Sequence, residues 1–209
     1  LWGQYLVEQG LVDNDFYEHE NQRFYDEYKA GTLDIFEFLA FSLKPLEEND
    51  PATLNRLHQG FMNEKIKPII LPAARTLLNK HREQGDTLMI ITATNRFVTE
   101  PIAKELQIDT LIATEAEMVS GRYTGKVKDV PCFQNGKVRR LQDWLGQNNM
   151  KMEDSWFYSD SHNDIALLDK VTNPYAVDPD DTLAMHAKMK GWPIITLRSG
   201  DEIKPFEID

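Results

Sequence analysis

Two patterns of apolar spacing divide the chain. Over residues 1–66, apolar side chains recur at helical intervals in Phe16, Phe24 and Tyr28, then in Leu33, Phe36, Leu39 and Leu43. Stop and start signals separate these runs: Asp13 or Asn14 before Phe16, Gly31-Thr32 before the next run, and Asn49-Asp50-Pro51 ahead of Leu54 and Leu57. The segment predicts a small helical bundle. From Lys67 onward, short apolar runs alternate with amphipathic stretches, which predicts an α/β domain over 67–209 built on a doubly wound parallel sheet. A helix starts at Pro72, runs through Leu77, Leu78 and His81 and closes at Gly85; a buried strand follows over 87–92. Then come a helix over 100–106, a strand over 110–113 and a hairpin around Ser120-Gly121-Arg122. Helices over 137–145, 164–170 and 182–190 alternate with strands over 155–158, 175–177 and 193–197.

Charge sharpens this division. Of 209 residues, 34 are acidic and 23 basic, a formal net charge of −11, which argues against sequence-independent affinity for DNA or RNA. Residues 1–66 hold 13 acids against 5 bases, the remainder 21 against 18. No apolar run approaches the roughly 20 residues that span a bilayer, so no membrane partner is expected. Cys132 is the single cysteine, so no internal disulfide exists, and a reducing, cytoplasmic setting is expected.

In an open parallel sheet, ligands bind beyond the carboxyl ends of the strands. Two strands end suggestively. One gives Ile91-Thr92-Ala93-Thr94-Asn95, a hydroxyl followed by backbone amides; the other gives Ser159-Asp160-Ser161-His162-Asn163-Asp164. A helix that leads into the second strand starts at the same edge, which brings Lys137 beside Thr92 and Asp160. Hydroxyl and amides suit phosphoryl oxygens, an ammonium offsets their charge, and carboxylate oxygens suit a divalent cation. Taken singly, Thr92 is a strand-end hydroxyl, Asp164 a helix cap, and Lys137 a solvated lysine whose removal leaves stability unchanged. No His-x-x-x-His or cysteine-rich spacing suggests zinc. Cys132 reads as a packing residue, and His162 as a solvent-facing position.

The ordered set of Thr92, Lys137 and Ser159-Asp160-x-x-Asn163-Asp164 resembles motifs two, three and four of the haloacid dehalogenase (HAD) superfamily. Ile91-Thr92-Ala93-Thr94-Asn95, Gly121-Arg122-Tyr123-Thr124-Gly125 and Gly136-Lys137-Val138 are similar to the phosphoserine-phosphatase-like subclass IB. The resemblance implies a Rossmann-like core over 67–209 with a helical cap over 1–66. It also implies a magnesium-dependent phosphatase acting on a small phosphomonoester, of the phosphoserine or histidinol phosphate type, through an aspartyl-phosphate. Thr92, Ala93, Thr94 and Lys137 would hold the phosphate, Asp160 and Asp164 the metal site, and Asn163 would support them. Arg96 and Arg23 are candidate substrate contacts, with Arg122, Tyr25 and Tyr28 weaker ones.

In this subclass an Asp-x-Asp-x-Thr sequence on a central strand precedes the cap and supplies the nucleophile. None does so here: Asp13-Asn14-Asp15 follows an amphipathic segment instead of an apolar strand. The central strand and first motif are therefore expected upstream of Leu1. Two alternatives keep the fold: an inactive binding or regulatory protein, and a phosphotransferase.

Overall fold

The computed structural model describes residues 1–206. In chain order these form α1 (Trp2–Glu8), α2 (Asn14–Ala30), α3 (Ile35–Glu48), α4 (Pro51–Phe61), α5 (Pro72–Glu83), β1 (Met89–Asn95), α6 (Arg96–Glu105), β2 (Thr110–Thr114), β3 (Ala116–Val119), β4 (Arg122–Val127), α7 (Asn135–Gln147), β5 (Trp156–Ser159), α8 (Ile165–Leu168), β6 (Asn173–Val177), α9 (Asp181–Lys190), β7 (Ile194–Thr196) and β8 (Lys204–Pro205). They group into two units. One comprises Leu1–Ile69, Thr94–Glu105 and Ala113–Pro131; the other comprises Ile70–Ala93, Leu106–Ile112 and the described residues from Cys132 onward.

Aspartates set the helix starts in the first unit. Asp13 accepts from the Phe16 N–H at 2.9 Å, Asp34 from Phe36 and Glu37, and Asp50 from Ala52 and Thr53. Each satisfies N–H groups that a helix start leaves without partners. The core holds Phe24, Leu39, Leu43, Leu46, Leu54 and Phe61, all at most 3% exposed. Phe16 and Phe36, expected on the apolar faces, are 52% and 62% exposed instead. Helical spacing identifies a face without fixing how far the neighbouring helix reaches across it. The unit is aromatic throughout: Trp2 meets Phe61 and Phe97 edge-on at 5.2 and 5.5 Å between ring centres, and Phe97 meets Tyr123 at 5.8 Å. These contacts join α6 and the β3–β4 hairpin to the helices. The hairpin turns on Ser120 and Gly121, both with positive φ, as a two-residue turn matched to strand twist requires.

In the second unit β5, β6 and β7 pair in parallel, with β8 antiparallel at the edge. β1 and β2 form a separate ladder. One core nonetheless serves both: Ile112, Cys132, Val138, Leu141 and Leu167 are buried against Met89 and Ile91 of β1 and Phe157 of β5. A second cluster of Leu168, Ala176, Leu183 and Ala187 packs α8 and α9 on the parallel strands. Among the described residues, no helix is long and apolar enough to cross a membrane.

A buried histidine ties α5 to β5, the strand that leads to the site. His81 Nδ1 lies 2.6 Å from Asp86 Oδ2, and its Nε2 lies 2.9 Å from the Tyr158 hydroxyl. Burial, with Tyr175 and Asp86 nearby, pushes the Tyr158 phenol up to about 12, so Tyr158 keeps its proton and donates it to Nε2. His81→Leu strips both partners. It is expected to lower the unfolding free energy by about 2 kcal/mol, measured by urea denaturation, because polar groups in a half-buried setting are left without partners. A change below about 0.5 kcal/mol would show that the tie is not needed.

Candidate active site

A lysine in the first turn of a helix faces the positive end of the helix dipole, where a cation is disfavoured. Lys137 occupies that position in α7 and is only 8% exposed. Its Nζ donates to Asp164 Oδ1 at 2.5 Å, while Asp164 Oδ2 accepts from the Ser159 hydroxyl at 2.7 Å. Asp164 is itself buried, at 6% exposure. The solvated lysine of the sequence reading is therefore a buried, paired charge. The partner lies 27 positions further along the chain, so local spacing gives no sign of it.

The loop that carries Asp164 is shaped from within. Ser161 Oγ accepts from the Asn163 N–H at 3.2 Å, and the Asp164 N–H donates to the Ser161 carbonyl at 3.0 Å, forming a short 3-10 turn (His162–Asp164). Asn163 Oδ1 accepts from Gln134 Nε2 at 2.8 Å. Gln134 stands just before α7 at φ 45°, a left-handed backbone that costs a non-glycine residue about 1–3 kcal/mol. Its side chain does not cap the helix.

Thr92 lies half-buried in β1, which runs on through Asn95 rather than ending at Thr92. Ala93 and Thr94 are thus strand residues with partners of their own, not the start of a loop. The Thr92 N–H bonds to Cys132, whose thiol donates to the Ile112 carbonyl at 3.6 Å. Burial pushes the Cys132 thiol up, against the opposing pull of Lys137 and Arg140. Lys137 and Asp164 are near enough to act on the charge of this fully buried thiol, and Ser159 of β5 donates to the Asp164 carboxylate.

Asp160, by contrast, is exposed, and its carboxylate has no hydrogen bond or ion pair among the described residues. Its carbonyl accepts from the Asp180 N–H at 2.8 Å. Among the described residues no three His, Cys, Asp or Glu side chains converge into a complete metal cage. Magnesium does not require one: it takes one or two carboxylates, phosphate oxygens and waters. The exposed Asp160 carboxylate, unbonded among the described residues, fits such an ion.

The two candidate substrate arginines lie in the first unit. Arg96 opens α6, and its Nε contacts both oxygens of Glu115 at 2.8 and 3.0 Å. Arg23 is held by Glu20, Glu27 and Glu37 at 2.8–2.9 Å and lies over the Phe24 ring. His162, expected to face solvent, is half-buried and bonded to Asp180 at 2.8 Å.

Sequence reasoning passed over Asp180. The letters Asp-x-Asp-x-Thr do occur, in Asp178-Pro179-Asp180-Asp181-Thr182, but after the fourth motif. There Asp180 caps α9 through the Leu183 N–H, and Asp178 accepts from the Leu197 N–H. The segment is a helix start, so it does not stand in for the first motif.

The α/β unit carries a hydroxyl in β1, a buried ammonium in the first turn of α7 and an exposed carboxylate just after β5, groups of the kind that phosphate esters and divalent cations take. Residues 1–169 match the family model of the haloacid dehalogenase-like hydrolases, and the chain belongs to that family. It is 40% identical over 201 residues to a histidinol-phosphatase of Neisseria meningitidis serogroup C (strain 8013), covering 94% of this chain and 90% of the relative. Other curated relatives are longer, and the chain spans about half of their length. A Bordetella pertussis Tohama I protein of unknown function aligns with a TM-score of 0.88 at 35% identity, covering 94% of this chain and 90% of that one. A phosphoserine phosphatase, solved as a phospho-aspartyl intermediate analogue, aligns with a TM-score of 0.66 over 97% of this chain and 87% of its own; at 16% identity it shares the fold.

Proposed function

We propose that the protein is a magnesium-dependent phosphomonoesterase that acts through an aspartyl-phosphate on a small ester, histidinol phosphate first and phosphoserine second. The observation that carries this reading is the buried Lys137 ammonium, held by Asp164 at the uncapped start of α7. Burying a cation against the helix dipole is costly, and an anionic substrate repays it. The 40% identity to a histidinol-phosphatase supports the order of substrates.

In this reading Thr92, with Ala93 and Thr94, and Lys137 hold the phosphoryl oxygens, and Asp160 holds the cation. Bound there, magnesium would offset the repulsion between a phosphate dianion and a carboxylate nucleophile. Asp164 acts through Lys137, since each of its oxygens already has a donor. Asn163 supports the loop. Both candidate arginines are held by carboxylates of their own unit, Arg96 by Glu115 and Arg23 by Glu20, Glu27 and Glu37. The attacking aspartate is, by the family resemblance, that of the first motif.

The test is a phosphate-release assay of the native full-length protein on histidinol phosphate, phosphoserine and a set of sugar phosphates. Turnover of histidinol phosphate with magnesium, abolished by excess chelator, is expected. Undiminished turnover in chelator would remove the metal, preference for a sugar phosphate would remove the substrate class, and no turnover of any ester would favour the binding-protein alternative.

A further inference from the structure

Asp180 ends a directed chain of hydrogen bonds that runs through the loop after β5. Its N–H donates to the Asp160 carbonyl at 2.8 Å. Oδ1 accepts from the Leu183 N–H at 2.8 Å, and Oδ2 accepts from both the N–H and the ring Nδ1 of His162, each at 2.8 Å. A carboxylate only accepts, so Nδ1 carries a ring proton toward Asp180, and in the Nδ1–H tautomer Nε2 presents a lone pair. Asn163 Nδ2, 3.2 Å from Nε2, donates to it. That fixes the amide, leaving Asn163 Oδ1 to accept from Gln134 Nε2 at 2.8 Å. In this arrangement every donor of the chain meets an acceptor. At the far end the Gln134 carbonyl accepts from the Lys137 N–H at 3.0 Å, within the strained turn that opens α7.

The chain thus begins on the residue that holds the Asp160 backbone and ends on the turn that presents Lys137. A helix cap alone needs only the bond to Leu183. We propose that Asp180 is a positioning residue which, through His162, Asn163 and Gln134, fixes the spacing between the Asp160 carboxylate and the Lys137 ammonium. This rests on the roles given to Asp160 and Lys137 above. It also accounts for a glutamine at a position whose φ suits glycine: only a side chain can reach Asn163.

Asp180→Ser separates positioning from capping, because serine caps a helix as well as aspartate but offers no second acceptor to His162. The melting temperature is expected to stay within about 3 °C, while kcat falls about tenfold and KM changes less than twofold, as for loss of a group that orients a ligating residue. His162→Leu is expected to lower kcat similarly, and the double variant to be no worse than either, since both break one chain. A readout independent of turnover is the His162 ring: 15N NMR is expected to show the Nδ1–H tautomer in the native protein and a tautomer mixture in Asp180→Ser. Native His162 in the Nε2–H form, or Asp180→Ser with unchanged kcat, overturns the inference. If the native protein hydrolyses no ester, the functional reading fails separately. The Gln134 side-chain amide resonances then decide the relay: a shift in Asp180→Ser upholds the transmission to α7, and no shift ends it.

Discussion

Exchanging Lys137 for methionine is expected to lower both turnover and melting temperature, and adding Asp164→Asn to return most of the stability and none of the turnover. Methionine keeps the volume of the lysine stem, so packing around Val138 and Leu141 is preserved. It strands Asp164, a carboxylate at 6% exposure that then keeps only the Ser159 hydroxyl as a donor. Removing one partner of a buried pair typically costs about 3 kcal/mol, because the remaining charge has lost its compensation. Asparagine at 164 removes that charge while still accepting from Ser159, so about 2 kcal/mol should return. In the proposed reading turnover depends on the ammonium reaching the phosphoryl oxygens, a contact worth about a hundredfold, and neither methionine nor the double variant restores it. Lys137→Arg should not rescue, since a planar guanidinium does not fit the space of a compact ammonium pinned 2.5 Å from a carboxylate. Urea denaturation and steady-state assay of the native protein, Lys137→Met, Asp164→Asn and the double variant complete the cycle. A single variant as stable as the native protein would disprove the buried pair, and a double variant with recovered turnover would disprove the role of Lys137.

The two kinds of apolar spacing made most of this fold legible. The alternation after Lys67 marks its strands, of which β2 is buried and β1, β5, β6 and β7 are largely half-buried, and helix limits such as 182–190 fall within one residue of α9. What the spacing could not carry is long-range. The association of α6 and the hairpin with the helices depends on Phe97 meeting Trp2 across 95 positions, and on Gly125 lying so close to Glu47 that a Cβ would come within 2.6 Å of its carboxylate. β1 runs three residues past Thr92, through Ala93, Thr94 and Asn95, so its end could not be read from hydrophobicity. At the candidate site, residue types at expected strand ends singled out Thr92, Lys137, Asp160 and Asp164; of these the structure joins Lys137 to Asp164, and it places Thr92 inside β1 rather than at its end. Burial of Lys137 and the second duty of Asp180 escaped notice for a common reason. Each side chain has an ordinary local role, a first-turn lysine or a helix cap, and its other partner sits on a different loop.

Asp160→Asn is expected to leave the fold intact while removing both activity and the response to magnesium, the opposite profile to Lys137. Its carboxylate is exposed and makes no bond among the described residues. In a chain of net charge −11, losing one such charge should change stability by no more than about 0.5 kcal/mol. The backbone link from the Asp180 N–H to the residue-160 carbonyl does not involve the side chain, so the loop keeps its shape. A ligand that binds the folded state alone stabilises it by RT ln(1 + [L]/Kd), about 2.7 kcal/mol at a hundredfold excess over Kd. For a chain of this size that is on the order of 5–10 °C in melting temperature. Magnesium should raise the melting temperature of the native protein accordingly and leave Asp160→Asn nearly unmoved, because a neutral amide is a poor ligand for a hard dication. Turnover should fall by about a hundredfold or more, since the charge that Asp160 would hold against the phosphate is lost at the reacting centre. Lys137→Met, which leaves Asp160 in place, should retain most of the magnesium-induced shift despite its own lower starting point. An Asp160→Asn protein that still gains the full shift would move the cation to other oxygens and leave Asp160 an ordinary surface carboxylate.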